Sequence, residues 1–171
     1  MKVAITGHKN GLGKELAAWF VGSNDEVVGF DKEDGFDAND LTMNDIEDCD
    51  MFINNAWDQF VQIKLFDMVY NSWRHNRKKT IVNISSMAAN KEIIDNYSAC
   101  KKMLDEMSDR SVFYGYCKTH NIKLGYMDTS FAKHLKKQED ALDVSEASRL
   151  IYEVITHKYY IPTIGIMAKK N

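Results

Sequence analysis

Lys2-Val3-Ala4-Ile5-Thr6-Gly7-His8-Lys9-Asn10-Gly11-Leu12-Gly13 opens the chain and decides how the rest is read. Lys2–Thr6 is a short apolar run that suits a buried strand, and Lys14–Val21 has the spacing of a helix. Glycine is needed between them where the backbone turns tightly and approaches a ligand, and the following helix N-terminus favours a phosphate. The spacing T-G-x-x-x-G-x-G differs from two other phosphate loops. A P-loop needs G-x-x-x-x-G-K-[ST], but Gly7 lies one residue too far from Gly13-Lys14, and Glu15 stands where the hydroxyl belongs. The G-x-G-x-x-G fingerprint is absent as well. Thr6, Gly7, Lys9, Asn10, Gly11, Leu12 and Gly13 are the candidate phosphate-side residues. A purely structural turn is the alternative reading.

Asp31 weighs against that alternative. It ends a second apolar run, Glu26–Phe30, 18 residues after Gly13. A carboxylate there accepts hydrogen bonds from a ribose 2′-hydroxyl and repels a 2′-phosphate, which favours NAD over NADP. Lys9 and Lys32, close in sequence, temper that preference.

Further out, apolar runs alternate with amphipathic stretches. Gly35–Asp37 reads as a possible brief strand, and Thr42–Asp48 as one or two helical turns with Thr42 as N-cap. Asp50–Asn54 is a strand, and Asp58–Arg77 a long helix with apolar spacing at Phe60, Ile63, Val69 and Trp73. Lys79–Ile84 is a strand stopped by Ser85-Ser86, Asn96–His120 a long helix, and Ile122–Met127 a strand. Ser145–His157 is a helix and Tyr160–Met167 a last strand. This rhythm predicts an α/β fold: one Rossmann-like, doubly wound parallel sheet of six or seven strands, helices on both faces, in a single domain over residues 1–171.

Composition narrows the function classes. The chain has 171 residues, 44% apolar and 27% charged, with a net charge of −3, which disfavours a generic polyanion binder. The basic run Arg74–Lys79 reads as a solvated helix C-terminus rather than a nucleic-acid contact. Cys49, Cys100 and Cys117 form no C-x-x-C pair, and the five histidines form no metal-ligand spacing, so neither a disulfide framework nor a metal site is expected. With no leader-like start and no apolar run long enough for a membrane span, a cytoplasmic protein is expected.

Tyr97-Ser98-Ala99-Cys100-Lys101 places a phenol and an ammonium on one helix face. Tyrosine titrates near ~10, and a neighbouring ammonium favours its phenolate, so such a pair can exchange a proton with a carbonyl or alcohol oxygen. The spacing alone is weak: Tyr114 and Lys118 repeat it within the same predicted helix. Tyr97 is distinguished by Ser85-Ser86 upstream, beyond the carboxyl end of a predicted strand, where open α/β sheets bind ligands.

At this point the chain resembles the short-chain dehydrogenase/reductase family. The matching pieces are Thr6-Gly7-x-x-x-Gly11-x-Gly13, Asn54-Asn55-Ala56, Ile84-Ser85-Ser86 and Tyr97-x-x-x-Lys101, in the family's order. The resemblance implies a nicotinamide cofactor, Tyr97 as general acid/base, and Lys101 holding the nicotinamide ribose while lowering the Tyr97 pKa. Ser86, with Ser85 second, is similar to the serine that polarises the substrate oxygen. Asp40-Leu41 is similar to the pair that contacts adenine, and Asn54, Asn55 and Ala56 to the cofactor-side turn. The family's fourth catalytic residue is an Asn, for which only Gln62 or Asp58 offers a stand-in.

Departures from the family pattern fall on the substrate side. The chain is much shorter than typical members, Trp57 stands where Gly is usual, and Asp128-Thr129-Ser130 replaces Pro-Gly after Met127. The stretch Phe131–Asp143, where members carry a substrate lid, is short and Lys-rich. The leading expectation is an NAD-dependent oxidoreductase acting on a small carbonyl or alcohol, with no nucleic-acid or membrane partner. The alternatives are a non-catalytic NAD-binding regulatory or scaffold protein, or a sugar epimerase of the same fold. Helices 58–77 and 96–120 match those that pair subunits in the resembling family. That implies a homodimer or homotetramer with Tyr70, Tyr114 and Tyr116 at the interface.

Overall fold

The computed structural model describes residues 1–90, 95–127 and 141–169. Its strands are β1 (Lys2–Thr6), β2 (Glu26–Phe30), β3 (Met51–Asn54), β4 (Thr80–Ser86), β5 (Lys118–Leu124) and β6 (Thr163–Ile166). Among the described residues, four α-helices alternate with them: α1 (Gly11–Gly22), α2 (Val61–Trp73), α3 (Asn96–Tyr114) and α4 (Val144–Thr156). The sheet order is β2-β1-β3-β4-β5-β6, and every pairing is parallel.

Alternation along each strand sorts the core into two layers, as a sheet covered on both faces requires. Ala4, Phe52 and Ile81 face α2 and α3, where Phe66, Val69, Trp73 and Leu104 are buried. Val3, Ile5, Ile53, Val82 and Ile122 face the other way, onto Leu16 and Phe20 of α1 and Ile151 of α4. The chain leaves β1 toward one face and β3 toward the other. A crevice therefore opens between those neighbouring strands at their carboxyl ends, the topological switch point of a doubly wound sheet.

Several boundaries differ from the sequence expectation. Gly35–Asp37 is not a strand: Gly35 has φ +77° and closes a 3₁₀ turn over Lys32–Asp34, and a second turn follows over Ala38–Asp40. The turn after Thr42 forms as expected, with the Asp45 carboxylate accepting from both the backbone N–H and the hydroxyl of Thr42. α3 stops at Tyr114 and β5 begins at Lys118, within the stretch expected to be helical. Gly115 ends the helix in an extended conformation, and Thr119, His120 and Asn121 are buried in the sheet by pairing with β4, which β6 joins from Asn121 onward. Tyr114 and Lys118 consequently sit in different elements and form no helical pair. β4 runs through Ser85-Ser86 instead of stopping before them. Among the described residues, no helix is long and apolar enough to cross a membrane.

Candidate active site

The glycine loop is tied to the exit of β3. Thr6 is fully buried, and its Oγ1 accepts from the backbone N–H groups of Asn55 and Ala56, both at 3.0 Å. Asn55 Nδ2 donates to the carbonyls of Thr6 at 3.0 Å and Gly7 at 3.3 Å. Two glycines are forced by this closeness. Gly7 sits at φ +71°, and a Cβ on Gly13 would lie 2.0 Å from the Gly7 carbonyl oxygen. The loop delivers Gly11 and Leu12, the first turn of α1, to the crevice. Asn10 precedes that turn without capping it, and its side chain donates to Glu33 at 2.6 Å. First-turn backbone N–H groups presented in this way suit an anion.

A cleft of about 710 Å³ follows the carboxyl ends of the strands. At one end it is lined by Phe30, Asp31, Lys32, Phe36, Asp37 and Ala38, in the middle by Gly7, Asn10, Gly11, Leu12, Asn55 and Ala56. Trp57, Ile84, Ser85, Asp95, Tyr97, Lys101 and Leu124 to Met127 line the other end. The Asp31 carboxylate accepts from the backbone N–H of Lys9 at 3.2 Å and of Glu33 at 3.0 Å. Lys9 Nζ pairs with Asp34 at 3.0 Å, and Lys32 Nζ with Asp58 at 2.9 Å and Asp37 at 3.3 Å. Asp40 is exposed and Leu41 is buried in the core, and neither lines the cleft; the preceding Asp37-Ala38 does. Asp40 and Leu41, expected at the adenine, stay off the cleft because the turn over Ala38–Asp40 turns Leu41 into the core. Thr6, Gly13 and Asn54 act behind the cleft wall rather than on it.

The other end gathers the remaining candidates. Lys101 is 3% exposed, and its Nζ donates to Gln62 Oε1 at 2.5 Å and to the Ile84 carbonyl at 2.7 Å. Gln62 is itself buried, held by donation from Nε2 to the carbonyls of Asn54 at 2.7 Å and Ile84 at 3.1 Å. Of the two stand-ins for the missing Asn, Gln62 thus touches Lys101, while Asp58 pairs with Lys32 at the opposite end. Tyr97 is half-buried, its ring in a T-shaped contact with Trp57 at 4.7 Å between centroids. Lys101 Nζ lies 5.5 Å from the centroids of both rings.

Charge at this end departs from the expectation in one respect. Burial raises the Tyr97 phenol above its ordinary range, and hydrogen bonding with the Ser86 hydroxyl offsets only part of that rise. Burial also pushes Lys101 down to about 7, against the field of Asp105. The lysine-lowered phenol is therefore not what the protein's own groups produce. Desolvation dominates, and the amine points its protons at Gln62 and Ile84. The two serines divide: Ser85 Oγ donates to Asp105 at 2.5 Å, whereas Ser86 stands with Tyr97 and accepts from the Ala88 N–H at 3.1 Å. Asp105 carried no recognisable sequence signal beyond lying one helical turn after Lys101. The expectations on Asp128-Thr129-Ser130 and most of the lid stretch fall outside the described residues.

No family model and no curated protein matches the sequence. Solved structures do match. A short-chain dehydrogenase/reductase from Vibrio parahaemolyticus superposes with a TM-score of 0.74 at 15% identity, covering 98% of this chain and 100% of that one. A short-chain dehydrogenase from Burkholderia cenocepacia, solved with NADP, gives 0.74 at 13% identity, covering 96% and 87%. A 3-alpha-hydroxysteroid dehydrogenase from a Pseudomonas species, solved with NADH, gives 0.67 at 12%, covering 97% and 95%. At such identities the likeness is one of architecture: the chain has the short-chain dehydrogenase/reductase fold.

Proposed function

We propose that the protein is a nicotinamide-dependent oxidoreductase acting on a small carbonyl or alcohol. The observation that carries this reading is the single cleft that joins the glycine loop and Asp31 to Tyr97 and Lys101. The glycine cradle, where a Cβ on Gly13 would strike the Gly7 carbonyl, and the exposed first turn of α1 fit a dinucleotide pyrophosphate. Bound there, such a cofactor would supply or accept the hydride. Asp31 would take the adenine-side ribose hydroxyls. Because Lys9 and Lys32 are already paired with carboxylates, NAD is favoured over NADP.

Tyr97 would hand its phenolic proton to a substrate carbonyl oxygen, or take one from an alcohol, with Ser86 donating to the same oxygen. Lys101, anchored by Gln62, would present its amine toward the ribose. Trp57 packs against the Tyr97 ring in an edge-to-face contact. The test is turnover of a carbonyl panel with NADH by wild type and Tyr97→Phe. Loss of a general acid of this kind lowers kcat by about 10²–10⁴-fold, and equal rates would remove Tyr97 from the mechanism. A nucleotide-binding protein without turnover is the second reading. It is favoured by the Trp57 ring seated on Tyr97, and it predicts NADH binding with no panel activity. We further infer that copies pair through the outer faces of α2 and α3, where Phe113 and Tyr114 are 82% and 80% exposed. Tyr70 belongs inside the protomer instead, stacked on Phe66 and donating to the Ser111 carbonyl.

A further inference from the structure

An ammonium beside the ribose of a dinucleotide is a ready ligand for a 2′-phosphate, unless carboxylates hold it elsewhere. Among the described residues, Lys32 is the one cationic side chain lining the Asp31 end of the cleft. Its Nζ pairs with Asp58 Oδ2 at 2.9 Å and with Asp37 Oδ2 at 3.3 Å, and both acids line the same cleft. The pair with Asp58 reaches far. Lys32 follows β2, Asp58 follows β3, and β1 lies between those strands, so the pair bridges two strand spacings, about 10 Å of sheet.

Each acid is placed independently of the lysine. Asp37 Oδ1 accepts from the backbone N–H of Asn39 at 2.9 Å and from its Nδ2 at 3.0 Å, which holds the carboxyl below its usual range. Asp58 sits in the turn that opens α2, where its carbonyl accepts from the Val61 N–H at 2.9 Å. Asp31, by contrast, turns its carboxylate to the N–H groups of Lys9 and Glu33. Lys9 is not part of the cleft lining, and its Nζ pairs with Asp34 at 3.0 Å. Asp31 therefore repels a 2′-phosphate without restraining Lys32, and the restraint comes from Asp37 and Asp58. A phosphate that recruited Lys32 would leave both of those carboxylates uncompensated beside its own charge.

We propose that Asp37 and Asp58 are specificity-determining residues: together they hold the Lys32 ammonium across the cleft, away from the ribose 2′ position beside Asp31, and so mask a phosphate ligand. The proposal rests on the reading of the cleft as a dinucleotide site. It adds that Asp31 alone does not set the preference for NADH, and that Lys32 becomes a 2′-phosphate ligand once the two acids are neutralised.

The experiment is a fluorescence titration of NADH and of NADPH into wild type, D37N/D58N and D37N/D58N/K32M. The readout is the ratio of the two dissociation constants, and no turnover is required. Asn is nearly isosteric with Asp, and the side chains of Lys32, Asp37 and Asp58 all reach solvent, so the core is undisturbed. An exposed charge pair shifts an equilibrium by up to about fivefold. Wild type is expected to favour NADH, and D37N/D58N to move the ratio toward NADPH by about fivefold or more. Adding Lys32→Met is expected to remove that gain, because the freed ammonium is what takes the phosphate. A wild type that prefers NADPH, a ratio that D37N/D58N leaves unmoved, or a gain that survives K32M each overturns the proposal. Binding of neither dinucleotide sinks the cofactor reading and the proposal together, whereas bound NADH with an unmoved ratio sinks the proposal alone.

Discussion

Lys101 shows how a residue picked out by sequence acquires a different character in the fold. Tyr97-x-x-x-Lys101 was legible because helical spacing puts both side chains on one face. What that face is buried against was not legible. Gln62 and Asp58 were equal candidates in sequence, yet one lies under Lys101 and the other on the surface beside Lys32. Burial then sets the sign of a linkage effect. A lysine held at about 7 in the folded protein and near ~10.4 when unfolded binds fewer protons folded than unfolded between those values. Stability consequently rises with pH across that window, and below about 7 the desolvation cost is fully present. Urea unfolding of wild type and Lys101→Met from pH 7 to 10 is expected to show wild type gaining on the variant as pH increases. A constant difference would contradict a desolvated, titrating Lys101.

The joint between β1 and α1 is where a single element boundary governs the fold and the proposed cofactor cradle. The run Lys2–Thr6 followed by widely spaced glycines was readable as strand, turn and helix, and the structure agrees. Gly35–Asp37 was misread because its apolar Phe36 resembles a strand position, whereas the positive φ of Gly35 makes it a turn. The start of β5 was missed for a related reason. Tyr114 to His120 keeps no turn signal except Gly115, and pairing of Lys118, Thr119 and His120 with β4, which sequence does not display, converts its end to strand. At the first joint the prediction is steric. Gly13→Ala puts a methyl against the Gly7 carbonyl, where overpacking costs about 1–3 kcal/mol and displaces the loop. Thermal unfolding should fall accordingly and NADH affinity should drop, while full retention of both would show that the loop yields freely.

At the scale of the whole molecule, one parallel sheet gathers its ligand-facing loops at one edge. Residues far apart in sequence, from Gly7 to Met127, therefore share one cleft. The alternation of strands and helices made that edge foreseeable; the covering Trp57 and the buried set around Asp105 depend on tertiary packing and were not. Pairing of copies through α2 and α3 is checked by light scattering. Twice the 19.7 kDa chain mass is expected, and a value of 19.7 kDa at high concentration would contradict it. The most direct test of the central claim, that the cleft holds a nicotinamide dinucleotide with Asp31 at its ribose, is calorimetric titration with NADH and with NADPH. One NADH per chain, bound more tightly than NADPH, is the predicted result. Tighter NADPH binding would contradict the role of Asp31, and binding of neither would contradict the account itself.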